Sequence, residues 1–224
     1  AGNYLLLIYL EDQEQPVITR RFMVIKNSVS ISIEINRPNR LEYRNTHQEV
    51  DFKISYQGLD ITNPFEEIKV VLMQNNRWDK AIFDLTPIFM RDQALIYDYN
   101  EQNVLTAGKE FRGFDFQSIR YLGQRVESIN TTATRNDVYL FKDAIRSYMK
   151  YIYYKDLNGK YVINVHEGNN RHIEADYAYI HFNLVSPTQF TGGKLYVIGA
   201  FCDWNLRPSN QMHFNTDLGG YEAT

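Results

Sequence analysis

The sequence predicts an all-β protein made of tandem immunoglobulin-like or early-set β-sandwiches. Three observations predict it. Apolar side chains recur with a period of two along most of the chain, the segments carrying that period are short and end on Asn, Gly or Pro pairs, and helical stripes are scarce.

In chain order, residues 4–10 and 17–25 are apolar, aromatic and β-branched runs that read as a pair of strands. In residues 28–36, Val29, Ile31, Ile33 and Ile35 alternate with Ser30, Ser32 and Glu34. Residues 50–56 repeat the alternation with Val50, Phe52, Ile54 and Tyr56. Further strands are expected at 68–74, 95–99, 147–154, 160–165, 178–184 and 194–199. Between 154 and 161, Asn158-Gly159 supplies the two positive-φ positions of a type I′ turn, so a hairpin is expected there. The stretch 138–149 fits either a helical face through Leu140, Ala144, Ile145 and Tyr148 or a strand pair around Lys142-Asp143, and the strand pair is preferred. Arg37-Pro38, Asn63-Pro64, Ser186-Pro187 and Gly192-Gly193 mark connections where a ladder stops.

These breaks suggest three pieces. Residues 1–27 read as the last hairpin of a truncated first β-domain, 28–174 as a complete central sandwich, and 175–224 as the opening strands of a truncated early-set-like domain. The chain enters a strand almost at once and closes on the strand-like Glu222-Ala223-Thr224, so it is expected to be part of a longer polypeptide.

Composition excludes several function classes. The longest apolar run, 4–10, falls far short of the roughly 20 residues of a membrane helix, so no transmembrane segment is expected. Net charge is −3 and the basic residues are scattered among acids, which leaves nucleic acid without an electrostatic footprint. One cysteine, Cys202, permits neither an internal disulfide nor a multi-thiolate metal site.

No catalytic centre is legible. There is no G-x-S-x-G, and His47, His166, His172, His181 and His213 lack the spacing of a zinc site, so no cofactor or metal is expected. Asp156-Leu157-Asn158-Gly159 has the first half of a calcium loop without its distal Glu. His181 is placed on the wetter face of its strand with Tyr177, Tyr179 and Asn183. Arg77 and Trp78, with Phe111, Arg112 and Phe114, combine Arg with aromatics, the types enriched in binding hot spots, and are the candidate partner-contacting residues.

Several motifs taken together resemble one family. They are Gly2-Asn3-Tyr4-Leu5, Thr19-Arg20-Arg21-Phe22, the run from Thr46 to Phe52, Gln74-Asn75 with Arg77-Trp78, Glu110-Phe111-Arg112 with Phe114-Asp115, and Asp156 with Asn158-Gly159. This pattern is similar to the plug protein of the bacterial type IX secretion system. The resemblance implies a non-enzymatic periplasmic protein, held against the inner side of the outer membrane. Its implied partner is an outer-membrane translocon barrel, whose periplasmic mouth it closes by steric occlusion. Separately, the stretch from Tyr196 to Trp204 is similar to the opening of early-set, glycogen-binding-like modules. That second resemblance implies an alternative, a carbohydrate-binding sandwich using Trp204 as a stacking platform.

Overall fold

A computed structural model of the protein describes residues 1–11, 16–150, 152–171 and 173–224. The fold is all-β, with fourteen short strands among the described residues and a single four-residue α-helix, Pro64–Glu67, begun by its proline. No described helix is long and apolar enough to cross a membrane.

Two compact units divide the chain. One comprises residues 1–72 and 82–107, the other residues 73–81 and 108–224. The division expected near 27 and 174 is not where the units part. The second of those points is bridged by strand pairing, described below, and the first lies inside one unit.

In the first unit, β1 (Gly2–Tyr9) and β2 (Pro16–Val24) form an antiparallel hairpin. β3 (Ser30–Asn36) pairs in register with β4 (His47–Ser55), Ile33 opposite Phe52. β5 (Val71–Leu72) and β6 (Ile82–Phe83) form a minimal ladder where a full strand over 68–74 was expected. β7 (Phe89–Arg91), β8 (Ala94–Tyr97) and β9 (Val104–Thr106) complete the main sheet, in order β3-β4-β8-β7 with β9 also on β4. The alternation of β4 is visible in its burial. Phe52 and Ile54, with Tyr56 just beyond the strand, join Leu85, Leu95 and Tyr97 in the core, and the Phe52 and Tyr97 rings stack at 4.4 Å. Burying each such side chain contributes about 1.5–3 kcal/mol.

Two buried polar residues in this unit are held by hydrogen bonds. The Asn103 amide donates to Val50 O (2.7 Å) and Asp51 Oδ1 (2.9 Å). Glu49 accepts from the backbone and side-chain nitrogens of Asn39, both at 3.1 Å.

The second unit is built on one mixed sheet. β10 (Val126–Thr131) pairs with β11 (Asn136–Leu140), which runs parallel to β12 (Tyr179–Val185). β12 then pairs with β14 (Gly220–Ala223), and β14 with β13 (His213–Asn215). The parallel β11–β12 pair spans the expected boundary at 174–175, so residues 175–224 share a sheet with 126–140. Val126, Val138 and Leu140 form one buried cluster, and Met212, Tyr221 and Ala223 a second, with Phe182 packed against both.

Four expected strands are corrected. The turn at Asn158-Gly159 forms, with φ of 52° and 72° and Lys160 N–H bonded to Leu157 O at 3.0 Å, but 160–165 is no strand. The flanking backbone bonds elsewhere: Gly159 O accepts from Ala200 N–H and His166 N–H donates to Gln117 O. Residues 147–154 are a loop as far as they are described, Tyr151 lying outside the described residues. Residues 194–199 make only an isolated bridge, Tyr196 with Gln211. Around Lys142-Asp143 the chain does not turn back. It continues beside β12 through a parallel bridge from Asp143 to Leu184.

Candidate functional site: the cluster around Trp204

The residues singled out in the sequence lie in the second unit, and several meet at Trp204. The chain reaches Trp204 through a 3-10 turn, Ala200–Cys202, followed by two consecutive left-handed residues, Asp203 at φ 51° and Trp204 at φ 59°. Asp tolerates that conformation, whereas a bulky residue pays about 1–2 kcal/mol for it. Packing holds it in place. Trp204 is only 8% exposed, its N–H donates to Gly199 O (3.2 Å), the Arg77 guanidinium lies 4.1 Å over its ring, and the Phe111 ring meets it edge-on at 5.4 Å.

Arg77 is fixed from its other side. It grips Asp79 through Nε–Oδ1 (3.1 Å) and Nη2–Oδ2 (2.6 Å), and this hydrogen bonding holds the Asp79 carboxyl below the usual range. Phe111 is set by its own backbone. Its N–H donates to Asp156 Oδ2, while Asn158 N–H donates to Asp156 Oδ1 at 2.7 Å. The carboxylate that suggested half a calcium loop therefore ties the 111 segment to the 158–159 turn. In that turn a Cβ on Gly159 would stand 2.3 Å from Trp204 Cη2.

Arg77, expected as an exposed contact, is itself buried, and Trp204 is covered on one ring face by that guanidinium. Trp204 also contributes to the lining of the cleft described below. Trp78 is half-buried. Arg112 is exposed and binds the Asp143 carboxylate at 3.3 Å and Ala144 O at 2.6 Å, with Arg125 on the other Asp143 oxygen at 2.6 Å. Phe114 is exposed and touches Phe182 edge-on at 5.9 Å. Of the five candidates, only Arg112 and Phe114 present themselves outward. Asp79 and Asp143, which hold Arg77, Arg112 and Arg125, were not read as part of the site, and Asp156, read from its turn, was not seen as the partner of the Phe111 amide 45 residues away, because pairings between distant segments have no local signature.

An open cleft of about 310 Å³ is lined by Trp204 together with Asn75, Asn76, Lys160, Tyr161, Ala200 and Asp203. Neither a histidine nor a cysteine lines it. Among the described residues no group of three or more His, Cys, Asp or Glu could hold a metal ion. His172 lies outside the described residues.

One hydroxyl–imidazole–carboxylate line does exist elsewhere in this unit. His181 Nε2 lies 2.7 Å from Asp137 Oδ1, and His181 Nδ1 lies 3.0 Å from Thr224 Oγ1. Its surroundings suit a structural bridge across β11, β12 and the end of β14. Asp137 is already neutralised by a two-pronged Arg135 contact, and the Tyr139 ring stacks on the imidazole at 4.3 Å. The cleft beside Trp204 does not reach these residues.

Hydrogen bonds from Arg135, then His181, lower the Asp137 pKa from 3.8 to about 2. A folded-state value below the unfolded one contributes stability above pH 3.8 that is lost as pH falls toward 2. Urea midpoints measured between those limits are expected to fall steeply for the wild type. Asp137→Asn starts lower at neutral pH and follows a flatter course.

No protein-family model matches the chain, and no curated protein matches it. Among solved structures, the crystal structure of a hypothetical protein from Parabacteroides merdae ATCC 43184 is similar, with a TM-score of 0.87 and 32% identity. The match covers 99% of this chain and 56% of that one, so the chain spans little more than half the length of this solved neighbour.

Proposed function

We propose that the protein is a non-enzymatic periplasmic binding protein of tandem immunoglobulin-like or early-set sandwiches. In this reading it closes the periplasmic mouth of the type IX outer-membrane translocon by steric occlusion. The observation that carries it is the convergence of the motif residues. Arg77, Phe111, Asp156 and Gly159, quoted for the plug resemblance from separate stretches of sequence, assemble around one buried Trp. A core shared by a family would do the same.

The rest of the molecule suits the role. A stopper needs a docking patch of roughly 1,000 Å² or more, and cross-strand ladders without a disulfide build each of the two units. Arg112 and Phe114 are the outward-facing candidates for that patch.

Affinity capture of the intact protein from envelope extracts tests the reading. An outer-membrane β-barrel is expected among the captured proteins, and Arg112→Ala with Phe114→Ala is expected to weaken its recovery. Capture that returns no such barrel contradicts the proposal.

A further inference from the structure

The cleft beside Trp204 is walled mainly by three pairs of chain neighbours, Asn75-Asn76, Lys160-Tyr161 and Asp203-Trp204, from separate stretches of the second unit. Local bonds fix each wall. Arg77 N–H to Gln74 O at 3.0 Å closes the first turn, and Lys160 N–H to Leu157 O at 3.0 Å closes the second. Ala200 N–H to Gly159 O at 2.8 Å joins the second wall to the third, and Arg77 over the Trp204 ring joins the first to the third. Of the nine non-glycine residues with positive φ among the described ones, four line this cleft, namely Asn75, Asn76, Asp203 and Trp204. Backbone held in that seldom-populated region gathers at ligand clamps.

The groups displayed there are unspent. Among the described residues, the side-chain polar atoms of Asn75, Asn76, Lys160, Tyr161 and Asp203 make no hydrogen bond or ion pair. Lys160 and Asp203 are both exposed and do not pair with each other. A simple anion in the cleft would meet the Asp203 carboxylate, a simple cation would meet the Lys160 ammonium, and a neutral sugar would leave both charges unanswered. A ligand carrying one charge of each sign answers both through charge-assisted hydrogen bonds. The two adjacent Asn amides each offer an N–H donor pair and a carbonyl acceptor, the complement of a peptide group. A volume of about 310 Å³ stands at the lower limit of the roughly 300–1,000 Å³ of small-molecule sites.

We propose that this cleft binds a short zwitterionic peptide, its carboxylate on Lys160, its ammonium on Asp203 and its peptide group on the Asn75 and Asn76 amides. The inference does not rest on the translocon reading, since it concerns a small ligand.

Amide NMR spectra of the isotope-labelled 224-residue chain, titrated with alanyl-alanine, test it. Saturable shifts are expected at 75–76, 160–161 and 203–204, with a Kd on the order of 1 mM. N-acetyl-alanyl-alanine, which lacks the ammonium, and alanyl-alanine amide, which lacks the carboxylate, should each bind about tenfold more weakly. Asp203→Asn, a change that keeps a residue tolerant of left-handed backbone, should weaken the dipeptide about tenfold and leave the acetylated form unaffected. Lys160→Met should do the same for the dipeptide and spare the amidated form. Both residues are exposed, so the remaining spectrum reports an unchanged fold. Absence of saturable shifts in the cleft at dipeptide about tenfold above 1 mM overturns the proposal. So do equal affinities for the three peptide forms, or shifts from maltotriose where the dipeptide gives none.

Discussion

Truncating Trp204 to alanine is expected to lower the stability of the second unit by about 4 kcal/mol, the cost of removing a large aromatic from a packed site. The ring is enclosed by Arg77, Phe111 and the Gly159 turn, so its loss leaves a cavity bordered by a guanidinium without its ring partner. Urea unfolding followed by circular dichroism measures the loss, and it appears in the absence of any sugar. A platform exposed for glycans would instead be removable with a change within about 0.5 kcal/mol, as at ordinary surface sites.

Gly159→Ala is expected to cost about 3 kcal/mol, from two sources. Its φ of +72° lies where an L side chain is strained, and the added methyl would meet Trp204 at 2.3 Å and Phe111 at 3.2 Å. Gly58 separates the two. Its φ of +84° is also positive, but a Cβ there meets nothing within 4 Å, so Gly58→Ala is expected to cost only the backbone strain. Thermal unfolding of the two variants side by side shows whether the close approach adds to the conformational cost.

The fold class was legible because alternation is a local property. β1 to β4, β8 and β12 fall in segments that alternating or continuous apolar residues mark as strands. The short strands, such as the two-residue β5 and β6 or the three-residue β9 and β13, carry too few alternations to announce themselves and depend on partners far along the chain. The domain division was misplaced for a related reason. The parallel pairing of 137–139 with 179–181 crosses a long loop-rich connection, and nothing local encodes it.

The candidate site was half legible. Residue type picked out Arg77, Phe111 and Trp204, yet an Arg beside aromatics reads the same whether it faces a partner or lies over a buried indole. Burial decided between these, and it is set by Asp79, Asp156 and the 158–159 turn acting together.

The central claim is that these residues form an internal joint. A double-mutant cycle tests it most directly, comparing wild type, Arg77→Ala, Trp204→Ala and the pair by denaturant unfolding. A coupling of about 1 kcal/mol or more between the two positions is predicted, as for a desolvated cation–π contact. Strictly additive losses would contradict it.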